Sequence, residues 1–387
     1  MQQDSTGYSS AEAAAPCDSG AWRSLAALLA RADVRIDGSR PWDIRFNSPS
    51  VVNRILGQGT LGLGESYMDG EWDAKRLDEF FCRVLRARLN GEIKPLRLLF
   101  HALRARLFNL QNYKRAWQVG EKHYDLGNAF YAAMLDPRMA YTCGYWKDAD
   151  NLADAQEAKL DLICKKLQLT PGMRVLDIGC GWGSFMGYAA EKYGVECVGL
   201  TISAEQTLLG QERYRHLPVE FRLQDYREIN ETFDRIVSVG MFEHVGHKNY
   251  RTYMQVAHRC LRDDGLFLLH TIGKNRRYAG ADPWINKYIF PNGELPSIGQ
   301  IGDSVDNLFV VEDLHNFGAD YDRTLMAWHA NFEAAWPQFA DQLGERFYRM
   351  WRYYLLCCAG AFRARELQLW QWVLSRQGVV GGYARVT

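Results

Sequence analysis

A strand-like apolar run that ends in closely spaced glycines admits few folds, and residues 175–183, VLDIGCGWG, form such a run. Val175, Leu176 and Ile178 suit a strand buried on both faces. The turn after them must bend tightly or let a ligand lie against the backbone. A Cβ would obstruct either, so Gly179, Gly181 and Gly183 answer a physical need. The pattern predicts a strand over 173–178, a glycine turn, and a helix opening behind it.

The turn also discriminates between nucleotide cofactors. A dinucleotide loop wants G-x-G-x-x-G, but Ser184 stands at the last position, and an acidic residue just ahead of the first glycine, here Asp177, points to S-adenosylmethionine. Strand and helix signals alternate around the loop. Asn151 caps a predicted helix whose Leu160, Ile163, Cys164 and Leu167 share one face. Strands are predicted at 195–200, 219–223, 233–239, 265–271 and 308–312, with a late one at 367–374. This rhythm predicts a doubly wound α/β sheet, the Rossmann-like core of a class I S-adenosylmethionine-dependent methyltransferase.

Open α/β sheets bind ligands outside the carboxyl ends of their strands. At that edge the second strand offers Thr201 but no acid for ribose hydroxyls, so Gln206, from the next helix, is the better candidate. After the third strand, Gln224, Asp225 and Tyr226 stand where an adenine-binding side chain would project. Asp225 fits a turn or helix cap equally well. Glu243 follows the strand through Val239, and His270 ends the apolar strand that begins at Gly265. A histidine alone is commonly a satisfied core residue, but paired with an acid at the same edge it reads as chemistry.

Composition narrows the partners. Lys plus Arg and Asp plus Glu both number 46, so no global field argues for nucleic acid. The nine cysteines are scattered without metal-ligand spacing, which predicts free thiols and no metal centre. No apolar run approaches the length of a bilayer span, so a cytoplasmic protein is expected.

Residues 1–19 read as a flexible tail, 20–110 as a small, mainly helical domain, 111–123 as a linker, and 124–387 as the catalytic domain. In the second segment Leu77, Phe80, Phe81, Val84 and Leu85 repeat at helical spacing, as do Leu96, Leu99, Phe100, Leu103 and Leu107. The same helices carry Arg83, Arg86, Arg88, Lys94, Arg97, Arg104 and Arg106, extended by Lys114 and Arg115. That cluster is either a solvated face or a surface drawn to anionic lipid heads.

Several rarer motifs accompany the glycine turn: GLGESYMDG at 62–70, HYDLGN at 123–128, YTCGYW at 141–146, VGMFEHV at 239–245, HTIG at 270–273, YIFPNG at 288–293 and NFGADY at 316–321. Through them, nearly the whole chain resembles the bacterial cyclopropane-fatty-acyl-phospholipid synthases, which are related to the mycolic acid cyclopropane synthases. The resemblance implies methylene transfer from S-adenosylmethionine to a cis double bond in the unsaturated acyl chains of membrane phospholipids. It also implies a bound bicarbonate as base, cradled by Cys143, Glu243, His270, Ile272 and Tyr321, with Cys143 and Ile272 acting through backbone groups. Glu243 would bond a protonated bicarbonate oxygen or orient His270. Tyr141 and Thr142 join the cofactor residues. A homodimer, peripherally associated with the inner face of an anionic membrane, is the implied state.

The chemistry makes its own demands. An alkene is a weak nucleophile, so the site must align it with the sulfonium methyl and tolerate a developing carbocation. Aromatic faces stabilise such charge without offering a lone pair that would trap it. Tyr124, Tyr141, Trp182, Phe290 and Tyr321 are the candidates. Cys143 needs no nucleophilic role, because the methyl donor is already activated, and Cys357 and Cys358 read as packing. The rival readings are an olefin-methylating or olefin-reducing relative, an amine methyltransferase, a lipid-binding protein with a dead nucleotide fold, and a nicotinamide oxidoreductase.

Overall fold

A computed structural model describes residues 20–89, 127–278 and 280–386. The predicted tail, the helix face from Leu96 to Leu107, the basic residues from Lys94 to Arg115, the linker, the boundary at 110 and Tyr124 lie outside the described residues.

Helices α1 (Gly20–Arg31), α2 (Ser50–Gln58), α3 (Thr60–Met68) and α4 (Leu77–Arg86) are interrupted by two short strands, β1 (Arg45–Phe46) after α1 and β2 (Trp72–Asp73) after α3, which pair antiparallel. In α4 the predicted apolar face points inward: Leu77, Phe80 and Phe81 are buried. The remaining elements are α5 (Asn128–Met134), α6 (Leu152–Lys166), β3 (Arg174–Ile178), α7 (Ser184–Tyr193), β4 (Glu196–Thr201), α8 (Ala204–Arg213), β5 (Val219–Leu223), β6 (Phe233–Val239), α9 (Tyr250–Cys260), β7 (Leu261–Lys274), α10 (Pro283–Tyr288), α11 (Ile298–Val305), β8 (Val310–Asn316), α12 (Ala319–Ala335), α13 (Ala340–Arg363) and β9 (Leu367–Ser375).

The large sheet has the order β5-β4-β3-β6-β7-β9-β8. The first four pairings are parallel, and β9 runs antiparallel between β7 and β8. Chain order reverses at β3, so the crevice between the loops after β3 and β6 is where a doubly wound sheet takes its ligand. Those loops touch closely enough that a Cβ on Gly179 would lie 2.6 Å from Met241 Cβ.

Two strands differ from the expected ranges by more than one residue at an end. β7 is longer than predicted because it pairs with β6 on one side and β9 on the other. β8 starts later than 308 because the amides of Leu308 and Phe309 both donate to the Val305 carbonyl, closing α11 before the strand can begin. Asn151 caps α6 as its sequence suggests, its side chain accepting the Asp154 amide at 3.0 Å.

The N-terminal helices share a hydrophobic core with the C-terminal helix. Tyr67, Trp72, Phe80 and Phe81 cluster with Tyr353 of α13. The approach is closest at Gly360, where a Cβ would sit 2.5 Å from the Asp78 carbonyl oxygen. Among the described residues, no helix is long and apolar enough to cross a membrane.

Candidate active site

A cavity of about 790 Å³ begins at the glycine turn and runs to the N-terminal helices, where Leu25, Leu29, Phe80 and Phe81 line it. One space therefore joins the nucleotide crevice to an apolar tunnel.

The crevice end is made largely by backbone. Gly179, Gly181 and Gly183 all have φ between +56° and +88°. Gly183 is also a close approach, because a Cβ there would meet Phe221 Cζ at 2.3 Å. Trp182, between them, is buried and donates its indole N–H to Asn128 Oδ1 at 2.9 Å. Asp177 is buried, and its Oδ1 has no partner. Burial pushes its carboxyl up to about 7, against the pull of the Lys159 ammonium.

Gln206 reaches the cavity from α8, as its position predicts. Thr201 at the tip of β4 donates to Gln206 Oε1 at 2.9 Å, so the Gln206 amide hydrogens remain for a ligand. Thr201, Gln224, Asp225 and Tyr226 do not line the cavity. The Asp225 carboxylate caps the turn at 226–228, accepting the Arg227 amide at 2.9 Å. Tyr226 packs against Tyr253 in the sheet core.

Farther along, the lining becomes aromatic. The hydroxyls of Tyr141 and Tyr354 are 2.9 Å apart, Tyr321 stacks on Phe362 with centroids 4.5 Å apart, and Phe290 meets the edge of Tyr354. Cys357 and Cys358 line the same stretch, half-buried.

Glu243 faces the cavity, and its Oε1 accepts the Ile272 amide at 2.7 Å. The Ile272 N–H is thus engaged by Glu243 in this structure. The other oxygen, Oε2, is buried without a partner. Burial drives the carboxyl up to about 7, although the Ile272 amide opposes the rise. Tyr321 is its neighbour, and burial, reinforced by the Glu243 carboxylate, holds the Tyr321 hydroxyl protonated well above its ordinary range.

Cys143 and His270 are fully buried one layer behind the lining. Burial holds the Cys143 thiol well above its ordinary range, which leaves it a poor nucleophile. Burial likewise keeps the His270 imidazole neutral. Gln371 Nε2 lies 3.3 Å from His270 Nδ1, and His270 Nε2 has no partner. With the amide donating to Nδ1, the ring proton sits on Nε2. Each of Glu243 and His270 therefore keeps one polar atom unspent.

Sequence reasoning missed Gln156, Lys159, Tyr354 and Gln371. Gln156 and Lys159 carried a signal, since both fall in phase with the buried face of α6, where a polar residue must find a partner. Tyr354 and Gln371 carried none, because their importance comes from tertiary contacts alone.

The mycolic acid cyclopropane synthetase family model matches residues 111–372. The cyclopropane-fatty-acyl-phospholipid synthase of Escherichia coli strain K12 is 60% identical over 356 residues, 92% of this chain and 93% of its own. The solved cyclopropane synthase MmaA2 from Mycobacterium tuberculosis is similar at a TM-score of 0.64 and 32% identity, covering 69% of this chain and 99% of that one. Mycolic acid cyclopropane synthase CmaA1, complexed with SAH and CTAB, gives 0.63 and 36%, covering 67% and 97%. Sheet order, glycine turn and these likenesses together establish that the chain belongs to the mycolic acid cyclopropane synthetase family and is an S-adenosylmethionine-dependent methyltransferase of class I fold.

Proposed function

We propose that this enzyme is a cyclopropane-fatty-acyl-phospholipid synthase that uses bicarbonate as its general base. In the reaction the sulfonium C–S bond breaks as a carbon–carbon bond forms to one alkene carbon, a proton leaves the new methyl, and a second carbon–carbon bond closes the ring. S-adenosylhomocysteine is the other product. The observation that carries the reading is that Glu243, lining an apolar cavity open to the glycine turn, and His270, one layer behind that lining, each keep a buried polar atom without a partner, Oε2 and Nε2.

The two atoms are complementary to bicarbonate. Ionised Glu243 offers an acceptor for its one O–H, and the neutral imidazole offers a donor to its charged oxygens. The Tyr321 hydroxyl, kept protonated by burial, is a second donor. Bound there, bicarbonate would supply the base that takes a proton from the transferred methyl. The aromatic stretch around Tyr141, Phe290 and Tyr321 stabilises positive charge on the acyl carbon, and the apolar tunnel excludes water that would capture it.

Docking at an anionic membrane face as a homodimer belongs to the same proposal. Of the basic cluster, Arg83 is tied to Asp33 and Glu79 and lies over Trp42, whereas Arg86 and Arg88 are exposed. Flotation with anionic vesicles and sedimentation equilibrium test these points.

The main test is incubation with labelled S-adenosylmethionine and vesicles of unsaturated phospholipid, followed by mass spectrometry and NMR of the acyl chains. A cyclopropane resonance that depends on added bicarbonate is the expected result. A branched alkene of the same mass, or full turnover in bicarbonate-free buffer, would refute it.

A further inference from the structure

We infer that Lys159 is a positioning residue for the methionyl carboxylate of S-adenosylmethionine, acting through the hydroxyl of Thr142. The inference rests on the cofactor reading above.

Lys159 projects from α6 into the crevice end of the cavity, where Thr142, Asp177 and Gln206 also face. It is 1% exposed, among the least accessible side chains described. Its Nζ donates to Thr142 Oγ1 at 2.9 Å. An ammonium has three donors, and this one is matched with a single neutral hydroxyl. The nearby acids do not relieve it by contact. Asp136 spends its oxygens on the Arg138 and Ala140 amides, both at 2.8 Å, and Asp177 acts on Lys159 only through space. A buried cation so poorly matched costs stability unless an anion completes it.

The cofactor brings one anionic group, its carboxylate, together with two cationic ones, the ammonium and the sulfonium. Lys159 attracts the first and repels the others, while Asp177, with its unpartnered oxygen, does the reverse. The two buried charges thus fix the direction in which the amino-acid end enters. Thr142 relays the effect: an oxygen that accepts from Lys159 turns its own hydrogen away, leaving it free to donate to a carboxylate. Burial lowers the Lys159 ammonium to about 8, which keeps it mostly charged at neutral pH.

A purely architectural role for Lys159 is already filled by its neighbour. Gln156, one turn earlier on α6, donates to the Thr142 carbonyl at 2.8 Å and the Ala140 carbonyl at 3.3 Å, pinning this backbone to the helix.

The test compares calorimetric binding of S-adenosylhomocysteine with that of 5′-methylthioadenosine, which keeps the adenosine and sulfur but lacks the amino-acid end. Lys159→Met should weaken the first by about 10- to 100-fold, the range of a charge-assisted hydrogen bond, and leave the second unchanged. Lys159→Arg should recover most of the loss. The melting temperature of ligand-free Lys159→Met should equal or exceed that of the unmodified enzyme, while the upshift produced by S-adenosylhomocysteine shrinks. Parallel loss of both ligands, or no loss of either, overturns the inference. Should Lys159→Met fail to fold, Thr142→Val must reproduce the selective loss, and equal binding of both ligands to that variant overturns it as well. If the unmodified enzyme binds neither ligand, the cofactor reading itself fails, a result distinct from a loss confined to the variants.

Discussion

The seam between the N-terminal helices and α13 and the cavity beside it both bury carboxylates, and they treat them in opposite ways. At the seam, Asp78 is 1% exposed and takes two hydrogen bonds from Arg76, at 2.9 and 2.8 Å, and one from Arg363 at 2.6 Å. Burial alone would raise its pKa, but the two guanidiniums outweigh it and hold the group down to about 2. In the cavity, Glu243 and Asp177 are also buried, yet each keeps an oxygen without a partner and is pushed up to about 7. A charge whose partners come from the chain serves the fold, and a charge left short of partners awaits a ligand.

The sharpest way to break that contrast is Glu243→Gln. Turnover should fall about 10²- to 10⁴-fold, the span of a lost acid–base function, while S-adenosylhomocysteine affinity changes little. Stability should hold or rise. The Glu243 carboxyl is raised from 4.5 to about 7 in the folded protein, so its ionisation opposes folding increasingly from pH 4.5 up to about 7. The stability difference from the Gln variant should therefore shift in the variant's favour across that window. Turnover of the unmodified enzyme, at constant bicarbonate, should rise through about pH 7. Urea melts and pH–rate profiles measure both, and equal turnover of the two proteins would remove Glu243 from the chemistry.

Gly183→Ala comes next. A side chain at φ +84° is strained by about 1–3 kcal/mol, and the added Cβ must displace the Phe221 ring. Lower melting temperature and weaker S-adenosylhomocysteine binding should appear together, since one backbone segment serves fold and ligand. A variant that melts lower but binds normally would assign the glycine to packing alone.

The smallest effect is expected from Asp78→Asn, about 1–3 kcal/mol of stability at pH 7, because Arg363 retains its two bonds to Asp322. Turnover per folded molecule should be unchanged. The Asp78 pKa is depressed, so its contribution is present above 3.8 and disappears as pH falls toward 2, and the two proteins should converge over that interval. Loss of activity without loss of stability would erase the distinction between seam and cavity.

The same contrast explains what could be read from the sequence. The crevice was legible because local backbone builds it: an apolar strand, three glycines and the start of a helix lie within a few residues of one another. Glu243 and His270 were legible as strand-end residues. The Glu243–Ile272 hydrogen bond was not, because register across β6 and β7 decides which amide meets which carboxylate. The aromatic stretch draws on segments near 141, 290, 321 and 354, and only packing tells which of the 20 tyrosines and 18 phenylalanines meet there. Lys159 was overlooked because a lysine on an amphipathic helix is commonly solvated, and its burial depends on how α6 meets the loop at 140–142.

Helix α13 belongs to both regions. Gly360 and Arg363 grip the N-terminal helices, while Tyr354, Cys357 and Cys358 on the same rod form part of the tunnel wall. A rigid element with two occupied faces transmits displacement from one to the other. The shape of the cavity is therefore sensitive to a position outside it: a side chain added at 360 would wedge α13 away from the N-terminal helices, and the displacement would reach Tyr354, Cys357 and Cys358 without altering any residue that lines the cavity.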